Sequence, residues 1–519
     1  MSALGLRDAA GIAVLAFLCL GGRAHEIPLR APSELTGVDG LARVYDYILD
    51  ARFDQADAEL QRACGPAPPE ACAVLDATAT WWRILIDPES RALDAEFQTS
   101  VNAAIASAEA WVGRDPRSAE AQFYLGAAYA ARVQWRVLRD EKLAAARDGK
   151  RIKQALERAI AMDPELDDAY FGVGLYQYYA DVAPASAKVL RFLLLLPGGN
   201  KTEGLAQMLR ARSRGRLLQG EADYQLQIIY LWYEHRVDQA IAILESLHDR
   251  YHGNPLFLWE LALVQDKYQH DITASLDTWR TLLALAREQR LNEPEIAAVR
   301  ARLGIARQLE ALYQTDHAIE QLRAIVDAKP EKPYGALASA WLGLGEAYDR
   351  VGDRDEATAA YRAAVAAAPG VDGHGVRQRA AERLRRAPDA TRAEAYRLSL
   401  DGFRRLERSD VRGAEAALSR SIALDPRDPV AHYRYGRVLQ ARRQDGPALA
   451  QFEIAIRGAQ ESPAPITAAA YLEAARLQER AGQLEIAIGY YRAASTWFGG
   501  GADARAAANR ALARLKVRR

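Results

Sequence analysis

Residues 341–369 carry a spacing that paired helices explain. Trp341, Leu344, Gly345 and Tyr348 share one helical face, and Ala357, Tyr361 and Ala364 share another before Pro369. Gly352-Asp353 supplies a tight turn between them. Gly345 and Ala357 are expected to face each other where the two helices cross, because a larger side chain there would push the axes apart. Trp341, Tyr348 and Tyr361 should fill the space towards neighbouring hairpins, and Pro369 ends the second helix.

The pattern returns along the chain. Gly402, Ala414, Leu418, Ser421 and Pro426 fit it, as do Gly436, Ala448, Phe452 and Ala455. Tyr471, Ala475, Gly482, Ala487, Tyr491 and Ala494 make a further copy, after the loop Ser462-Pro463-Ala464-Pro465. Upstream copies are weaker: Ala318 with Leu322, Ile325 and Pro330; Trp259 with Trp279; Ala240 with Leu244; Gly204 with Met208 and Ala211; Tyr170 with Gly174; Leu125-Gly126 with Tyr129; Ala56 with Leu60 and Ala63. This repeat resembles that of the tetratricopeptide-repeat superfamily over nearly all of residues 40–500. The resemblance implies an all-α, right-handed solenoid of roughly eleven helical pairs. Each pair would touch only its neighbours, and the stack would offer a concave inner face to a peptide or protein.

The ends and interruptions divide the chain. Arg7 precedes an apolar run from Ala9 to Leu20, followed by Gly21-Gly22-Arg23-Ala24. A basic start, a short apolar run and small residues predict a signal peptide over 1–24, cut after Ala24, and hence a periplasmic protein. Cys19 does not suit a lipid anchor, because Leu18 stands before it. Export leaves Cys64 and Cys72 on either side of Gly65-Pro66-Ala67-Pro68-Pro69-Glu70-Ala71. An oxidising compartment predicts a structural disulfide between them. The array is expected to run over 25–369, with a longer helical arm spanning Arg132 to Lys153. A hinge with an extra helix follows over 370–390, after the glycine-rich segment Gly370 to Gly375. A second array with a capping helix occupies 391–519.

Residues 170–235 stand apart. A Tyr-rich helix, Ala183-Pro184, an apolar run ending Leu196-Pro197-Gly198-Gly199 and then Lys201 to Leu205 follow in order. That order resembles outer-membrane-associated tetratricopeptide proteins of the inclusion-clearance type. It marks Leu190, Phe192, Leu193 and Leu194 as an apolar patch for a partner or a peripheral membrane contact through 186–197. The run is far too short to span a bilayer.

Composition and motifs argue against catalysis. Basic and acidic residues balance at 68 each in 519 residues, which gives no basic excess for nucleic acid. There is no His-Glu-x-x-His helix and no Gly-x-Ser-x-Gly elbow. Gly198-Gly199-Asn200-Lys201-Thr202 lacks the glycine spacing of a phosphate loop and reads as a capped helix start. His235, His248 and His252 lack companion ligands, and Asp353, Asp355 and Glu356 read as turn residues. No cofactor, metal or small-molecule substrate is therefore expected. The expected partner-binding groove carries Tyr433, Arg434, Arg437, Gln440, Arg476 and Arg480. A guanidinium fork matches a carboxylate in two places, so these residues suit an acidic peptide.

Overall fold

The computed structural model describes residues 35–183 and 198–517. The 1–24 signal segment and Leu190, Phe192, Leu193 and Leu194 lie outside them. Among the described residues are 24 α-helices and no strand. Eleven antiparallel pairs account for 22 of them. These are α1 (Val38–Leu49) with α2 (Phe53–Ala63), α3 (Pro69–Ile86) with α4 (Asp94–Arg114), α5 (Ala119–Leu138) with α6 (Lys142–Met162), and α7 (Ala169–Val182) with α8 (Lys201–Arg214). Next come α9 (Gln219–Trp232) with α10 (Val237–Arg250), α11 (Pro255–Lys267) with α12 (Ile272–Arg287), α13 (Pro294–Ala311) with α14 (Thr315–Ala328), and α15 (Ala336–Val351) with α16 (Arg354–Ala367). After the single helix α17 (Val376–Arg385) stand α18 (Ala390–Glu407) with α19 (Val411–Leu424), α20 (Pro429–Ala441) with α21 (Asp445–Arg457), and α22 (Ala464–Arg480) with α23 (Leu484–Thr496). Helix α24 (Ala502–Val517) closes the last pair. The fold is an all-α repeat solenoid of tetratricopeptide-like hairpins.

The crossing glycines work by proximity. A Cβ on Gly345 would lie 2.4 Å from the Tyr361 ring, and one on Gly436 would lie 2.6 Å from Phe452. The residue packed on Gly345 is thus Tyr361, one turn beyond the expected Ala357. At α7 and α8 the obstacle is backbone: a Cβ on Gly174 would meet the Gly204 carbonyl oxygen at 2.6 Å. Nine of the turns inside pairs contain a left-handed residue: Ala51, Asp140, His235, His270, Tyr313, Gly352, Ser409, Arg443 and Gly482. Seven of these nine are not glycine, so the turn is a property of the repeat that local sequence does not announce.

The N-terminal helices correct the picture of a stack that touches only its neighbours. Thirteen of the eighteen residues of α3 are buried, leaving only Leu85 and a narrow stripe through Pro69, Ala73, Asp76 and Arg83 less covered. A helix buried over so much of its girth has to lie in an interior. Trp82 packs its ring 5.0 Å from Tyr224 on α9 and 6.3 Å from Phe257 on α11. Past the end of α3, Asp87 accepts the Tyr334 amide at 3.0 and 3.1 Å, and Arg300 of α13 donates to the Ile86 carbonyl at 3.2 Å. Helix α1 adds Tyr45 donating to Glu221 at 3.1 Å, and Asp50 accepting the Gly253 amide at 2.7 Å. The N-terminal part of the concave face is therefore filled by the chain itself.

One continuous core runs from Leu35 to Ala380. Helix α17 belongs to it through Val376 and Ala380, so the extra helix is seated on the preceding repeats. Beyond it the core breaks into three small clusters, around Leu418, Phe452 and Tyr491. Cys64 and Cys72 are joined by a disulfide. It ties the end of α2 to the first turn of α3, the helix that fills the interior.

Candidate partner-binding surface

The C-terminal repeats present the expected arginines on equivalent positions of successive first helices. Gly402, Gly436 and Ala475 occupy the crossing positions of α18, α20 and α22, and the next residues are Phe403, Arg437 and Arg476. One residue is about 100° round a helix, which turns these side chains off the pair contact. Arg437 and Arg476 are exposed. Arg437 donates at 3.3 Å to the hydroxyl of Tyr433, whose ring lies 5.9 Å from that of Phe452. Gln440 donates at 2.8 Å to Glu473, which also pairs with Arg476. Arg480 forks onto both carboxylate oxygens of Asp445, at 2.9 and 3.0 Å. Exposed ion pairs of this kind contribute little to stability, so their charge remains exchangeable with a ligand.

Arg434 departs from the expected set. It is 2% exposed and donates to Ser399 Oγ at 2.8 Å and to the Tyr313 carbonyl at 2.6 Å. Its guanidinium also covers the Phe403 ring at 4.9 Å. The long side chain reaches inward because α20 rests against the α13–α14 turn, so Arg434 holds the arrays together and is withdrawn from the surface. The same seam carries Tyr396 on Thr315 at 2.7 Å and Arg404 on both oxygens of Asp316, at 2.5 and 2.8 Å. The surface left for a ligand is Tyr433, Arg437, Gln440, Glu473, Arg476 and Arg480.

The interior holds polar groups that the repeat template does not anticipate. Burial raises the Glu221 carboxyl, while Tyr45, Gln225 and Gln134 hydrogen bonds pull it back. Burial pushes the Glu260 carboxyl up to about 7, against the hydroxyl of Tyr224, which donates to it at 3.1 Å. A cavity of about 60 Å³ lies beside Glu221, lined by Tyr45, Thr78, Trp81, Tyr124 and Gln134 among others. That volume suits a few water molecules. The signal for this network was Glu221, Gln225 and Gln227 interleaved with Tyr224, Leu226 and Ile229 in one helix.

The other motifs fall where turn chemistry puts them. Asn200 caps α8 by accepting the Thr202 and Glu203 amides, at 3.1 and 3.2 Å. Asp353 caps α16. Among the described residues no group of three or more His, Cys, Asp and Glu has the arrangement of a metal site.

No family model and no curated protein matches the chain. Among solved structures it is similar to a tetratricopeptide repeat protein from Parabacteroides merdae ATCC 43184, at 15% identity over 57% of this chain and 98% of that one, with a TM-score of 0.26. A Rap protein complexed with Competence and Sporulation Factor matches at 13% identity over 92% and 98%, with a TM-score of 0.34. The TPR2AB-domain:pHSP90 complex of yeast Sti1 matches at 15% over 58% and 97%, with a TM-score of 0.21. At such identity and superposition none of them bears on what this chain binds. None supports the likeness of 170–235 to inclusion-clearance proteins.

Proposed function

We propose that this chain is a non-catalytic scaffold that binds a protein or peptide partner on its C-terminal repeats. The observation that carries the reading is the contrast in occupancy. The N-terminal concave face is filled by α3, whereas Arg437 and Arg476 stand exposed on successive first helices. A partner segment bearing carboxylates would exchange with Glu473 and Asp445 for these guanidiniums, and Tyr433 would supply apolar contact beside them. Many shallow contacts along such a surface allow an extended or helical segment to bind without a deep pocket.

The setting proposed is the cell envelope, after export directed by residues 1–24. Two features support it: the order of basic, apolar and small residues at the start of the chain, and the Cys64–Cys72 disulfide, which suits an oxidising compartment.

The test is to tag the C-terminus, crosslink in a related host with an outer membrane, fractionate the envelope and identify what co-purifies. The expected result is a dominant protein partner that Arg437→Glu with Arg476→Glu loses while the fold persists. Retention of that partner by the charge-reversed chain overturns the assignment of the surface. Recovery of the chain only in the cytosol overturns the setting.

A further inference from the structure

The C-terminal repeats sit on the N-terminal superhelix at two places. The first seat is polar and buried, through Tyr396 on Thr315, Arg404 on Asp316 and Arg434 on the Tyr313 carbonyl. The second belongs to the last pair. There the α23–α24 turn, residues 497–501, lies against the α11–α12 turn and the start of α12. The Phe498 ring packs 5.2 Å from that of His270. A Cβ on Gly499 would lie 2.8 Å from the His270 carbonyl oxygen, and one on Gly501 would lie 2.8 Å from Thr273 Oγ1. Both glycines are left-handed, with φ of 72° and 83°. A side chain at either would strain the backbone and prise the turn off its seat.

The seats hold the first helices near their N-terminal ends. Tyr396 is the seventh residue of α18 and Arg434 the sixth of α20. Gly499 adjoins Ala464, the first residue of α22, whose Cβ would lie 3.1 Å from an added one. Arg476 stands twelve residues farther along α22, about 18 Å away at 1.5 Å per residue. A tilt of α22 by about 10°, well inside the scatter of helix crossing angles, would carry Arg476 by about 3 Å.

The joint between the last two pairs permits such a tilt. Its crossing positions, Gly436 and Ala475, are 39 residues apart, against 34 for Gly402 and Gly436. The apolar cluster that spans it is small, around Leu439, Phe452, Ala474 and Leu477. Its polar links are Gln440 with Glu473, Arg480 with Asp445 and Tyr490 with Glu453. A ligand carboxylate that takes Arg476 and Arg480 competes with Glu473 and Asp445, so Arg480 lets go of the neighbouring pair. The seat on the α11–α12 turn then keeps the pitch of the array.

We propose that the α11–α12 turn is a template for the partner-binding surface, holding the last pair at the tilt that fixes the spacing of Arg437 and Arg476. The inference rests on the partner-binding reading above and adds what tunes that surface. A free solenoid flexes along its axis and has to be ordered when a ligand binds across two pairs. Here the ordering is already done, so affinity follows a contact about 18 Å from the ligand. The second seat is the one that gives way first, because it is a ring contact and two close glycines, whereas the first is a forked ion pair with buried hydrogen bonds.

The test attacks the second seat from both sides, with Phe498→Ala and, separately, Thr273→Arg. Spin labels at Gly446→Cys and Gly489→Cys, where an added Cβ meets nothing within 4 Å, measure the joint. Cys19→Ser leaves no other free thiol beside the paired Cys64 and Cys72. One narrow distance is expected in the parent and a broadened distribution in both variants. Binding of a fluorescein-labelled oligoglutamate peptide should weaken about threefold to tenfold in both, with the melting of the N-terminal superhelix unchanged. If the peptide binds the parent and the variants alike, or the variants more tightly, the template is overturned and the partner-binding reading stands. An unchanged distance distribution overturns the template too. A parent that does not bind the peptide overturns the partner-binding reading, and the template with it.

Discussion

In the N-terminal repeats Trp82 is fully buried between Tyr224 and Phe257, side chains more than 140 positions away in sequence. In the C-terminal repeats Phe452 is just as buried, yet its ring meets Gly436 and Tyr433 of its own pair. The hairpin is the same in both regions. What differs is a helix threaded through the first superhelix and absent from the second. A solenoid whose interior is filled by its own start loses the freedom to flex along its axis and gains contacts between distant repeats. The second array packs its rings within its own pairs and keeps a free surface, while Tyr396, Arg404 and Arg434 seat it on the α13–α14 turn. The reading proposed above, a partner bound on the C-terminal repeats, rests on that difference.

The sharpest way to break the comparison is to empty the interior. Trp82→Ala should cost about 3–5 kcal/mol, the range for removing a large buried ring. Hydrogen exchange should then rise together in α1, α3, α9 and α11, because all of them meet at that ring, while α20–α23 keep their protection. Phe452→Ala should be of similar size but confined to α20, α21 and α22. If Trp82→Ala raises exchange only in α3 and its neighbours, the N-terminal region is as local as the C-terminal one, and the contrast fails.

Gly174→Ala probes the same region through its backbone. The added Cβ would press on the Gly204 carbonyl oxygen at 2.6 Å, and backbone on both sides cannot rotate away. A loss of about 1–3 kcal/mol in a denaturant melt is expected. The matching change in the open region is Gly446→Ala, where nothing lies within 4 Å and the helix gains a better former. That variant should match or exceed the parent.

The two regions should also answer pH differently. Burial pushes the Glu260 carboxyl up to about 7 in the fold, from the ordinary 4.5 of a free glutamate. The folded chain therefore holds a proton that the unfolded chain has released between those values, and stability falls as pH rises from about 4.5 to about 7. Glu260→Gln keeps the hydrogen-bonding shape without the titration. It should flatten the pH dependence of the N-terminal transition and raise its melting temperature above neutrality. An unchanged profile would place the carboxyl in water.

The repeats were legible in the sequence because their glycines and aromatics are set by contact. Gly345, Gly402 and Gly436 each admit a ring or a leucine that a Cβ would strike. The disulfide followed from the spacing of Cys64 and Cys72. Two things stayed hidden. The burial of Trp82 against distant repeats had no sign in the repeat pattern, because no single-repeat template contains a helix buried against repeats far along the chain. Arg434 read as a ligand-binding side chain, because its carbonyl partner, Tyr313, lies 121 positions away. Both are long-range facts, whereas periodicity reports only on neighbours. The apolar run of α3 did carry a clue, since past its first turn Asp76 and Arg83 are its only charged residues.

The left-handed turn residues give the finest test, because they occur in both regions at the same place. Ser409, in the α18–α19 turn, has φ of 64° and its side chain is exposed. For a residue with a Cβ this conformation costs about 1–2 kcal/mol, and glycine adopts it freely. Replacement by glycine also loosens the unfolded chain, which offsets part of the gain. Ser409→Gly should therefore stabilise the C-terminal repeats by about 0.5–1 kcal/mol. Asp140→Gly, in the first region, should gain less. Aspartate tolerates the left-handed region better, and the change also breaks its pair with Lys142. Equal gains at both sites would mean that the turn alone sets the energy. A loss at Ser409 would mean that its side chain holds the α18–α19 turn by more than its backbone angle.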